Sequence, residues 1–81
     1  MSNPIEVYVK KPEVFEGIAN NFKYHAPKEG QPERYEEIRA QGKAFAEELV
    51  KLCPQSRELS LALTNLENAV MWANAAIARN E

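Results

Sequence analysis

Aspartate is absent from the 81 residues, histidine, cysteine and tryptophan occur once each, and glycine three times. Each scarcity excludes something. A lone cysteine, Cys53, cannot close an internal disulfide, so the chain is expected in a reducing compartment, the cytoplasm. With no second cysteine and no histidine nearby, Cys53 has no metal partner set. At a helix C-terminus it sits at the wrong end of the dipole for a thiolate, and it is expected as a buried small hydrophobe. His25 has no aspartate anywhere to orient it, and no serine stands in a nucleophile turn. The separated glycines Gly17, Gly30 and Gly42 make no phosphate loop. No Glu-x-x-His pair accompanies Glu36, Glu37, Glu47 and Glu48, which are expected as a solvated helix face rather than metal ligands. No apolar run approaches the ~20 residues that span a bilayer. Met1-Ser2-Asn3-Pro4 has neither a basic nor an apolar signal region, so no secretory leader is expected. Ten basic against twelve acidic residues, net −2, argue against a duplex-DNA binder that lives on counterion release, while leaving room for a local basic pocket. No enzyme, metal or cofactor is predicted.

What is present divides at residue 21. Residues 1–21 are expected as an arm and a short helix, and 22–81 as a helical-hairpin domain. Ile5-Glu6-Val7-Tyr8-Val9-Lys10 alternates with period two, which predicts a short extended arm without a partner strand. Pro12 suits a first helical position and opens a segment to about residue 21. Its apolar side is Val14, Phe15, Ile18 and Phe22, and Gly17 weakens it. Residues 23–31 read as a loop punctuated by Pro27 and Gly30.

A second helix is predicted from Pro32 to Leu52, with Tyr35, Ile38, Gly42, Phe45, Leu49 and Leu52 in a 3-4-3-4-3 seam. Pro54 ends it. Ser56 is a good N-cap for a third helix running to about Arg79, with Glu58 in its first turn. Leu59, Leu63, Leu66, Val70, Ala73 and Ile77 space as 4-3-4-3-4. Two long helices joined by so short a turn lie antiparallel. The third helix carries a second apolar strip, Leu61, Ala62, Ala69, Trp72, Ala75 and Ala76, that a single hairpin cannot cover. Small size and this strip together predict self-association.

Few residues here could recognise a ligand. Phe22 and Tyr24 alternate with Lys23 and His25 in the loop. Either the rings fasten the loop to the hairpin or they stack on a partner's rings, as aromatics do on nucleobases. His25 reads as a loop histidine making a structural hydrogen bond. Trp72 reads as core or subunit-interface filling, or as a wall beside a ligand. Arg34, Arg39, Lys43, Arg57 and Arg79 could fork a phosphate. Arg39 and Lys43, four apart, share a helix face.

Two stretches carry a resemblance. They are Phe22-Lys23-Tyr24-His25-Ala26-Pro27 with Arg34-Tyr35-Glu36-Glu37-Ile38-Arg39, and Leu59 through Arg79, ending Met71-Trp72-Ala73-Asn74-Ala75-Ala76-Ile77-Ala78-Arg79. Over residues 22–81 the chain resembles the phage anti-CBASS nucleotide sponges, whose helical hairpin is shared with some anti-Thoeris proteins. CBASS is bacterial cyclic-oligonucleotide-based antiphage signalling. The resemblance implies an all-α protein assembling as a homo-hexamer in the cytoplasm of an infected bacterial host. It implies binding of cyclic dinucleotides such as cyclic GMP-AMP between subunits, without cleavage; some members also hold cyclic trinucleotides. Tyr24 matches the family's base-stacking loop tyrosine, and His25 lies in the same motif. Arg79 matches the arginine closing the last helix, a candidate phosphate contact. Arg39 and Lys43 lie where basic or polar positions face the pocket. The competing readings are a protein-interaction hairpin without a nucleotide ligand, its partner face being Trp72 and the alanine strip, and a small nuclease. The missing aspartate and metal set count against the nuclease.

Overall fold

The computed structural model describes residues 8–81 and contains three helices and no strand among them. Helix α1 is Pro12–Asn21, α2 is Gln31–Leu52 and α3 is Arg57–Asn80. Of the predicted extended arm Ile5–Lys10, residues 5–7 lie outside the described residues, and Tyr8, Val9 and Lys10 are exposed and in no strand or helix.

Local chemistry sets the boundaries. Proline stands in the first turn of α1 and of α2. Gly30 begins α2 at φ 82°, a left-handed conformation that a Cβ would strain. Ser56 caps α3 by accepting the Leu59 N–H at 3.1 Å. Cys53 precedes Pro54, and a residue before proline is driven out of the helical region; its backbone is extended at φ −116°, ψ 144°. That turn swings its side chain into solvent. Cys53 is exposed, not the buried hydrophobe expected from the apolar run before it.

α2 and α3 pack as the antiparallel hairpin. The seam of α3 is as predicted: Leu59, Leu63, Leu66, Val70, Ala73 and Ile77 are all partly covered. On α2 the seam is Tyr35, Ile38, Gly42, Ala46 and Leu49. Phe45 and Leu52, expected inside, are 55% and 73% exposed. Gly42 is the reason. A Cβ there would stand 2.6 Å from Val70 Cγ2, so the helices touch backbone to side chain at this level. Ala46, one turn on, is small enough to continue that close approach, and Phe45 is turned aside. We predict that Gly42→Ala destabilises the hairpin by about 1–2 kcal/mol. Overpacking against the stiff, β-branched Val70 outweighs the ~1 kcal/mol that alanine gains in helix propensity. A denaturant titration at fixed protein concentration measures it, and a stabilised variant would refute the close-contact account.

The hairpin is a single layer. The chain extends 61 × 37 × 14 Å, and among the described residues no hydrophobic side chain is buried. It exposes 7102 Å², against about 4,900 Å² for a compact monomer of 9.2 kDa. The surplus is larger than the ~800 Å² per partner of a standard interface. Side chains that water disfavours contribute to it: Trp72, Met71, Phe45, Phe15 and Leu61 are all 44% exposed or more. No described helix is long and apolar enough to cross a membrane.

Candidate functional site

The open end of the hairpin, where α1, the loop and the end of α3 meet, is held by polar bonds. Asn20 Nδ2 donates to the Arg79 carbonyl oxygen at 3.0 Å, tying α1 to the last turn of α3. His25 Nε2 lies 2.9 Å from the Asn20 carbonyl oxygen. A carbonyl only accepts, so Nε2 carries the hydrogen. Gln31, 3% exposed, is the hub. Its Oε1 accepts the Lys28 N–H at 2.9 Å and the Tyr35 hydroxyl at 3.4 Å, while Nε2 donates to Glu81 Oε1 at 3.1 Å. Arg34 grips the Glu81 carboxylate with both terminal nitrogens, and Lys28 Nζ donates to the Glu81 backbone oxygen.

This clamp sets the charge of Glu81. The Arg34 hydrogen bonds, then that of Gln31, hold its carboxyl down to about 2, against a smaller opposing effect of burial. The same bond raises Arg34. A carboxyl with a depressed pKa stabilises the fold fully above its ordinary value near 4.5 and loses that contribution as the pH falls toward 2. Glu81→Gln should therefore flatten the acid limb of melting temperature against pH in that window. The measurement is thermal melting of both proteins from pH 5 to 2; parallel curves would show that the clamp carries no stability.

Against this frame of bonds the loop rings stand free. Phe22 is 88% and Tyr24 81% exposed, so neither fastens the loop to its own hairpin. Arg79 lies with its guanidinium over the Trp72 ring, 5.7 Å from the centroid. A cation–π contact at this distance uses the charge and takes up none of the N–H donors, which stay available to an anion. Among the described residues no carboxylate pairs with it. Tyr24, His25 and Arg79 are thus brought to one end of one protomer.

Arg39 and Lys43 are elsewhere. Counting along α2 from Gln31, they stand roughly 12 and 18 Å down the axis. They edge a groove of about 740 Å³ between α2 and α3, floored by Ala46, Val50, Leu63, Leu66 and Val70. Their partners are weak, exposed helix neighbours: Glu36 at 3.7 Å for Arg39 and Glu47 at 3.7 Å for Lys43. A second groove of about 380 Å³ opens beside Ile38, Phe45, Ala69 and Ala73. Among the described residues no three His, Cys, Asp or Glu side chains gather as a metal site. Sequence reasoning missed Asn20, Gln31 and Glu81, whose bonds join positions far apart in the chain and leave no periodic trace.

The protein is thus a helical hairpin with two projecting aromatic rings, and an arginine over Trp72, at its open end. The family model described as Acb2/Tad1, hairpin domain, matches residues 16–78. The chain belongs to that family, one of cyclic-oligonucleotide sponges that act against bacterial defence. No curated protein and no solved structure matches the chain.

Proposed function

We propose that the chain binds cyclic oligonucleotides and withholds them, uncleaved, from CBASS signalling in the cytoplasm of a phage-infected bacterium. Cyclic dinucleotides such as 3′,3′-cyclic GMP-AMP are the first ligand class and cyclic trinucleotides the second. The observation that carries the reading is the Tyr24 ring, held out in solvent beside a loop pinned through His25, on a hairpin of the sponge family. Tyr24 stacks on a base, His25 orients the loop, and Arg79 supplies edge donors to a phosphate. Arg39 and Lys43 reach the ligand from another protomer, because they lie too far from Tyr24 within one. The assembly is a homo-oligomer, six subunits by the family's pattern. The alanine and Trp72 strip of α3 and the surplus exposed area both favour self-association.

The test is to incubate the protein with 3′,3′-cyclic GMP-AMP, remove free nucleotide, heat-denature and analyse the supernatant. Intact released nucleotide is expected. Degraded nucleotide would make the protein a nuclease. No nucleotide after trials of both ligand classes would leave the protein-interaction hairpin.

A further inference from the structure

Two uncovered surfaces of the chain match each other. α1 is amphipathic: Val14, Phe15 and Ile18 line one side and are 44%, 61% and 48% exposed. Among the described residues its side-chain hydrogen bond to the hairpin is that of Asn20 to Arg79, a polar contact at its end that leaves the apolar side about half exposed. The larger groove between α2 and α3 is apolar along its floor and is open. Lengths agree. The groove runs from Arg39 to Lys51 along α2, roughly 18 Å, and the ten residues of α1 span about 15 Å. Charges agree too. α1 carries Glu13 and Glu16 and no cation. The groove rim carries Arg39, Lys43 and Lys51 against Glu47 and Glu67.

From where it is held, α1 cannot fill the length of the groove of its own hairpin. Its last turn is bonded at Arg79, and on α3 the groove runs from Val70, roughly 14 Å away, to Leu63, roughly 24 Å away, so that the ~15 Å of α1 would cover only its near end. We propose that α1 of one protomer docks into the α2–α3 groove of a second copy, antiparallel to that copy's α2. This rests on the self-association proposed above and not on the identity of the ligand. In this direction Glu13 and Glu16 fall toward Lys51 and Lys43, and the negative end of the α1 dipole falls toward Arg39. Tyr24 follows Asn21 by three residues, so docking delivers the stacking ring of one copy to the Arg39 end of the other's groove. The docked helix thus completes a site whose parts are separated within one chain.

The experiment uses the full chain carrying Cys53→Ala. Ile18→Cys is placed in one copy and Ala46→Cys in a differently tagged copy, and the two are refolded together and mildly oxidised. A disulfide joining the two tags is expected. A single chain carrying both substitutions is oxidised in parallel at high dilution; a link that forms there but never between the two tags would mean that α1 folds back on its own hairpin, and no link in either sample would leave the groove to another occupant; either overturns the proposal. Phe15→Glu provides a second readout. Because Phe15 is mostly exposed in the single chain, helical content should persist while the particle mass falls at least twofold by light scattering. Unchanged mass overturns the docking. If docking fails while wild-type protein still releases intact nucleotide on heating, the sponge reading stands and α1 has no part in assembly.

Discussion

Replacing Tyr24 with alanine is expected to weaken binding of 3′,3′-cyclic GMP-AMP by roughly 30-fold to 10⁴-fold. A cyclic dinucleotide is near two-fold symmetric and suits an interface at which the same residue arrives from two protomers. Each ring lost from a base costs ~1–3 kcal/mol, so two rings cost about 2–6 kcal/mol. The substitution reads binding cleanly, because a ring 81% exposed contributes little to its own hairpin and the fold should not notice its removal. Tyr24→Phe keeps the stacking face and should retain most of the affinity. Calorimetry on the two variants decides it. If Tyr24→Ala binds as wild type does, the loop is not the site and the carry-over from the family motif is wrong.

The parts of the fold that the sequence made legible are those governed by repetition. The α3 seam from Leu59 to Ile77 has six members and fell where its spacing put it. The α2 seam failed at Phe45 and Leu52 for a physical reason. A 3.5-residue repeat assumes supercoiled helices with side chains interlocked at even distance. Gly42 instead lets α2 press onto Val70, and a straighter helix of 3.6 residues per turn carries the contact to Ala46 rather than Phe45. Cys53 misled because hydrophobic continuity said "inside" while Pro54 bent the backbone outward. The site divides in the same way. Tyr24, His25 and Arg79, singled out by a local motif and a helix end, lie together at the open end of the hairpin, and their part in a ligand site is the proposal made above. That Arg39 and Lys43 stand apart from them was not legible, since a helix face gives direction around the axis and says little about what faces it from another chain. The Gln31–Arg34–Glu81 clamp had no sequence signal, because Gln31 read as the last residue of a loop and its partner lies fifty residues on.

Ala76→Arg is expected to break the assembly while sparing the hairpin. Ala76 is exposed in the single chain and stands one turn from Trp72, on the strip that the seam with α2 leaves uncovered. Arginine there meets no clash within the protomer, and helix propensity changes little. In an assembly the same position closes against another subunit's helix, where a large charged side chain costs about 1–3 kcal/mol by overpacking and more through an unpaired charge. The penalty recurs at every copy of the interface, so a ring of subunits loses it several times over and should dissociate rather than loosen. Light scattering at micromolar concentration should give a mass at or near 9.2 kDa in place of a multiple of it, with helical circular dichroism reduced by less than a change of fold would require. Gln55→Arg adds the same side chain at the exposed turn between α2 and α3 and should leave the mass unchanged. Should Ala76→Arg also leave it unchanged, the alanine strip faces solvent in the assembled protein, and the surplus exposed area must be covered through another face of the hairpin.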